Sequence, residues 1–171
     1  MARGSTTTIL LQGEIYTGVD EWLKWYEFTL DEAVKLGFTP NYLGVTGEQF
    51  KSSKLTTVKR KDAVLREAIK RGDKITSISI YSLPSNFKTA AFDYELYLSR
   101  ATNLGCPRIM LTISTEAFSK IDYANMIEKL KKHICFVSGQ VFEIVGEDPL
   151  IYAIKANPPS SFKTLRIITE L

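Results

Sequence analysis

Apolar and polar residues alternate over three successive stretches in the middle of the chain, and this alternation predicts the centre of a sheet. In residues 75–82, Ile78 and Ile80 stand against Ser77, Ser79 and Tyr81. In residues 91–99, Phe92, Tyr94, Leu96 and Leu98 alternate with Asp93, Glu95, Tyr97 and Ser99. In residues 108–114, Ile109, Leu111 and Ile113 are set against Met110 and Thr112. Successive side chains of a strand point to opposite faces, so the three stretches predict one sheet, apolar below and polar above. The links between them are longer than a two-residue hairpin and carry the turn residues Pro84, Ser85 and Asn86, then Asn103, Gly105 and Pro107. Further strands are expected at residues 6–16, 42–46, 140–145, 150–156 and 164–169.

Three stretches repeat instead at helical spacing. In residues 19–36, Trp22, Leu23, Trp25, Tyr26, Leu30, Ala33, Val34 and Leu36 fill one half of a helix, with Lys24, Glu27, Asp31 and Lys35 on the other. Phe28 departs from this stripe and projects among the charges, which marks it as covered by a loop or offered to a partner. A second helix is expected at residues 59–71, capped by Thr56 or Thr57, with Val64, Leu65, Ala68 and Ile69 inward and Arg66 and Lys70 one turn apart on the outer face. A third, at residues 122–134, is capped by Asp122 and buries Tyr123, Met126, Ile127, Leu130 and Ile134. Gly37 and Gly72 are placed to end the first two in the left-handed conformation. Together these elements predict a single α+β domain: a mostly antiparallel sheet with about three helices packed on one face.

Composition agrees with that reading. The 171 residues suit one domain, and 44% hydrophobic with 24% charged residues is the balance of a globular protein. No apolar run is long enough to span a bilayer, and the start lacks the apolar stretch of a secretory signal, so no membrane association and a cytoplasmic location are expected. Residues 1–5 carry no structural weight and are expected to be disordered or foreign to the natural chain. Two cysteines, Cys106 and Cys135, and one histidine supply three soft ligands where a structural zinc site needs four. No metal and no cofactor are therefore expected, and both thiols read as reduced and partly buried.

Catalytic chemistry is not legible. His133 lies beside Lys131 and Lys132 at the end of the third helix, where a surface histidine favours the helix dipole without any catalytic part. Cys106 has only Arg108 nearby to activate it. Neither a nucleophile elbow nor a phosphate-binding glycine loop occurs. Asp93 and Glu95, two apart on an expected strand, share one face, but an alternating solvated face produces such a pair routinely. The chain is accordingly read as not an enzyme.

Charge is unevenly placed. Residues 51–74 hold nine basic and three acidic side chains, a local charge of +6 that leaves −3 for the remainder of a chain whose net charge is +3. Ser52 and Ser53 fall in the polar connection that opens this segment. A solvated helix face ranks first as its explanation, an acidic protein partner second and nucleic acid last, because no aromatic residue interleaves the lysines and arginines. The polar side of the sheet combines Tyr81 and Tyr97 with serines, Asp93 and Glu95, a composition that suits protein contact. The expected partner-binding residues are thus Phe28, Arg66, Lys70, Tyr81, Asp93, Glu95 and Tyr97.

In size, in strand–helix order and in residues 78–100, above all 79–84 and 92–94, with residues 157–161 near the end, the chain resembles the small α+β immunity proteins encoded beside bacterial polymorphic toxins. The resemblance implies a non-enzymatic inhibitor that binds one cognate toxin domain in the cytoplasm. Two other classes remain: a nucleic-acid or regulatory binding domain using residues 51–74, and an enzyme whose site has no recognisable motif.

Overall fold

The computed structural model describes residues 4–51 and 54–171. In chain order it contains β1 (Ser5–Glu14), α1 (Val19–Lys35), β2 (Tyr42–Gly47), β3 (Thr56–Thr57), α2 (Val58–Lys70), β4 (Ile75–Ser82), α3 (Ala90–Asp93), β5 (Leu96–Ala101), β6 (Arg108–Ser114), α4 (Thr115–Phe118), α5 (Tyr123–Lys131), β7 (Cys135–Val145), α6 (Pro149–Ala153) and β8 (Arg166–Glu170). Among the described residues, eight strands form one antiparallel sheet in the order β3-β2-β4-β5-β6-β1-β7-β8, which makes the domain α+β. The first strand of the chain therefore lies inside the sheet, paired along its two edges with β6 and β7.

Register explains the core. Ile80 lies opposite Leu98, Leu98 opposite Leu111, Leu111 opposite Ile9 and Ile9 opposite Val141, so one apolar row crosses five strands on a single face. Trp22, Trp25 and Tyr26 of α1, Leu65 and Ile69 of α2, and Met126, Ile127 and Leu130 of α5 close over that row in one buried cluster. Burying each such side chain contributes about 1.5–3 kcal/mol. The Trp25 indole N–H donates to the Ile78 carbonyl at 3.1 Å and so fixes α1 over β4.

Two polar groups are buried beneath these helices. Glu32, 3% exposed, meets Lys129 at 3.0 Å and joins α1 to α5. Arg100, 1% exposed, donates from Nε to the His133 carbonyl at 2.9 Å and from Nη2 to the Tyr16 carbonyl at 2.7 Å, with its guanidinium 4.7 Å from the Trp22 ring centroid. One side chain thereby ties the β1–α1 link and the turn after α5 to the middle of the sheet.

Local chemistry sets the element ends. Thr57 caps α2 through the Arg60 N–H and Asp122 caps α5 through the Asn125 N–H, while Gly37 and Gly72, at φ +91° and +77°, turn the chain out of α1 and α2. The expected strand at residues 91–99 begins only at Leu96. Before it, the Asp93 carboxylate accepts the N–H groups of Lys88 and Thr89 at 2.6 and 2.8 Å and winds residues 90–93 into a helical turn, leaving Phe92 46% exposed. Residues 150–156, expected as a strand, instead contain α6, begun by Pro149 and by Asp148, which accepts the Leu150 N–H. The strand expected from residue 140 starts at Cys135.

Other expectations are corrected by packing. Along α1, Thr29 and Glu32 are buried and Val34 is 63% exposed; Val64 of α2 is exposed as well. Ser5 opens β1, with its hydroxyl 2.7 Å from that of Thr115. Met1, Ala2, Arg3, Ser52 and Ser53 lie outside the described residues.

Candidate functional site

The second face of the sheet is not simply wet. Leu10, Met110, Tyr97 and Phe142 form a smaller buried cluster there, and α6 lies across it, contributing Ala153 with Leu150 and Tyr152 packed alongside. The Tyr152 ring meets Phe142 edge-on at 4.7 Å and Phe162 at 5.5 Å, so α6 and the 3-10 turn Pro159–Ser161 are held to the sheet by aromatic contacts. Beside them, Arg108 is buried and donates to the carbonyls of Asn103 and Leu104 at 2.7 and 3.0 Å, which organises the β5–β6 link. Burial lowers its pKa below the usual arginine value.

Between α6, the segment after it and the β7–β8 edge, a cleft of about 630 Å³ opens. Its floor comes from Leu10, Gln12, Ser138 and Gln140, and its walls from Tyr152, Lys155, Asn157, Pro158, Pro159 and Glu170. Tyr152 Oη donates to Gln140 Oε1 at 2.7 Å, and Gln140 Nε2 donates to Glu170 Oε1 at 2.8 Å. These two bonds fix the orientation of the amide, and burial raises the Tyr152 pKa above the ordinary phenol value. Hydrogen-bond groups held in place beside one aromatic ring and two prolines are suited to holding a ligand or a polypeptide segment. A second, smaller cavity of about 340 Å³ shares Asn157 as a wall. No group of three or more His, Cys, Asp or Glu side chains placed to hold a metal ion occurs among the described residues, and no helix there is long and apolar enough to cross a membrane.

The residues expected to bind a partner do not converge. Tyr81, Tyr94 and Tyr97 meet one another at tilted and edge-on angles with centroid distances of 5.1 to 6.2 Å, and Tyr97 is 7% exposed, so the tyrosine-bearing face is largely consumed by packing against α6 and residue 94. Burial, followed by the neighbouring Tyr97 and Tyr94, raises the Tyr81 pKa. Asp93 and Glu95 are not a pair on one strand face: Asp93 is spent on backbone N–H groups, which lower its pKa, and Glu95 is exposed just before β5. Phe28 is half-buried against the helix-covered core, 4.5 Å from the His133 ring and 5.8 Å from Trp25, so it does not stand among the charges. Arg66 bonds Asp62 at 3.0 Å and Glu27 at 3.1 Å and lies over the Tyr26 ring, while Lys70 is exposed. These last three sit on the helical side, across the sheet from the cleft.

His133 is likewise no surface cation. It is packed by Trp25 and Phe28, and burial, then Arg100, Lys132 and Lys24, push its pKa down to about 4. Both thiols, expected to be partly buried, are free and exposed. The cleft residues Gln140, Tyr152 and Glu170 were not legible in the sequence, where only the turn at residues 157–160 marks the neighbourhood.

No protein-family model matches the chain, and no curated protein matches it. Among solved structures, the Pseudomonas aeruginosa T6SS protein PA0821 is similar in fold, with a TM-score of 0.55 and 11% identity over 85% of this chain and 42% of that one. The chain thus spans less than half the length of that protein. Likeness at this level of identity is a likeness of fold, and it places the open antiparallel sheet with its helical layer among architectures already seen in solved structures.

Proposed function

We propose that the chain is a non-enzymatic, protein-binding inhibitor, an immunity protein that acts in the cytoplasm by covering the functional surface of a cognate bacterial toxin domain. The observation that carries this reading is the grooved second face around α6, where Tyr152, Pro158 and Pro159 stand beside the hydrogen-bonded Gln140 and Glu170, groups already held in place. Rigid anchors of this kind lose little freedom on binding, and aromatic residues dominate the centres of tight interfaces. Similarity in fold to a T6SS protein supports the toxin setting. The basic segment supports nucleic-acid binding less well, because Arg66 and Arg71 are already engaged by Asp62, Glu27 and Asp73 and no aromatic residue stands among its exposed Lys51, Lys54, Lys59, Arg60, Lys70 and Lys74, which suit the steering of an acidic partner.

Co-expressed with the toxin encoded beside it, the chain should restore growth to cells that the toxin alone arrests. The two should elute together, with an interface of about 1,200–2,000 Å² or more. Phe92→Ala should shorten the lifetime of the complex, and Lys70→Glu should slow its formation at low salt. Persistent growth arrest and separate elution in the presence of the folded chain would overturn the reading, as would appreciable turnover of a small molecule.

A further inference from the structure

Three helices end in the same pair of hydrogen bonds. After α1, Gly37 donates its N–H to the Val34 carbonyl and Phe38 to that of Ala33, each at 2.9 Å; after α2, Gly72 bonds Ile69 and Asp73 bonds Ala68, each at 3.0 Å. After α6, Lys155 bonds Tyr152 and Ala156 bonds Ile151, each at 3.1 Å. The first donor of each pair stands in the left-handed region, with φ of +91° at Gly37, +77° at Gly72 and +57° at Lys155. Glycine takes that conformation freely, whereas any other residue brings its Cβ against the carbonyl oxygen that follows. Two of these ends carry glycine, yet α6 holds a long side chain in the strained position.

That side chain stands at the large cleft. Lys155 lines it, is exposed and makes no ion pair among the described residues. The other charged side chain in the lining, Glu170, is engaged by the Gln140 amide, and Tyr152 gives its hydroxyl proton to Gln140 Oε1. Gln12, Ser138 and Asn157 line the cleft with no side-chain hydrogen bond among the described residues, and Gln140 Nε2 keeps a second N–H. One uncommitted cation among uncommitted donors suits a carboxylate. The amide oxygens of Gln12 and Asn157 are free to accept peptide N–H groups of the segment that carries it, and about 630 Å³ takes more than one side chain. We propose that Lys155 is a contact residue of the cleft, holding the carboxylate of an aspartate or glutamate on an extended segment of the protein partner, and that the strain in its backbone is retained for that contact. The proposal rests on the protein-binding reading above and names the chemistry of its contact.

The test uses the full chain and needs no toxin. N-acetyl-glutamate methylamide and its neutral glutamine counterpart are titrated in, with backbone and side-chain amide shifts followed by heteronuclear NMR. The glutamate compound should shift Gln12, Gln140 and Ala156 saturably and bind about threefold more tightly than the glutamine compound, the scale of one exposed ion pair. Lys155→Gln should remove that difference. Lys155→Gly should remove it too, while raising the urea midpoint of the free chain by relieving the left-handed strain. Glu170→Gln, which withdraws a like charge from the lining, should tighten the glutamate compound. N-acetyl-Ala-Glu-Ala methylamide should bind more tightly than the single residue, because its flanking peptide groups meet the free amides. Equal binding of the glutamate and glutamine compounds, a difference that survives in Lys155→Gln, a lower midpoint in Lys155→Gly, weaker binding in Glu170→Gln, no gain from flanking residues, or shifts confined to other regions would each overturn the proposal. Growth protection is scored separately: a protective chain that ignores these probes loses only the contact, and a chain that binds them but protects no cell loses only the inhibitor reading.

Discussion

Acidification should weaken this protein through one side chain. His133 is the sole histidine, packed 4.5 Å from Phe28 and 5.4 Å from Trp25, and its pKa is about 4 against an ordinary 6.5. Between those values the unfolded chain takes up a proton that the folded chain refuses, so stability falls as pH falls through that window. The contribution is complete above the unfolded value of 6.5 and fully lost below about 4. The gap corresponds to about 3.4 kcal/mol for a fully enclosed ring; solvent screening of a half-buried one brings this to about 2 kcal/mol. Urea unfolding followed by tryptophan fluorescence, at about pH 7.5 and about pH 4.5, should show the unaltered chain losing about 2 kcal/mol more than His133→Gln, whose side chain does not titrate. Asp93, held low by backbone N–H groups, loses its contribution only below the ordinary 3.8, outside the window. Parallel losses in the two proteins, or an imidazole that titrates in NMR near its ordinary value, would refute the reasoning.

Leu111→Ala, at a fully buried position in the row that crosses the sheet, should cost about 2–5 kcal/mol in denaturant unfolding. Tyr97→Ala should lower stability by about 3 kcal/mol or more through a cavity under α6, so loss of partner binding in that variant should track unfolding and disappear when only folded protein is counted. Arg100→Ala, which frees the Tyr16 and His133 carbonyls and removes the contact with Trp22, should cost about 3 kcal/mol and blue- or red-shift the tryptophan emission; an unchanged midpoint would show that these contacts contribute nothing net. Asp122→Ala should cost about 1 kcal/mol by uncapping α5, read as a lower midpoint with an unchanged denaturant slope.

Much of the layout lay within reach of local pattern. Residues 75–82 and 108–114 are strands with the bounds their alternation predicts, and α1, α2 and α5 occupy the expected stretches with Thr57, Asp122, Gly37 and Gly72 at their ends. These features were readable because the interactions that make them span a few residues: a cap, a turn, a repeat of two or of about four. Pattern misled where a local bond competed with it. Phe92, Tyr94, Leu96 and Leu98 alternate like a strand, yet Asp93 gathers two N–H groups and turns the first half into α3. The fate of the polar sheet face could not be read in this way, since Tyr97 and Met110 are buried by α6, some fifty and forty residues further along the chain. The cleft is likewise a product of sheet order: with β1 inserted between β6 and β7 and β8 added outside β7, Gln12, Gln140, Tyr152 and Glu170 meet from four separate segments. Their sequence neighbours carry no trace of that meeting, because the free energy that brings them together comes from burying the apolar rows of the sheet and not from any preference of the residues that line the cleft.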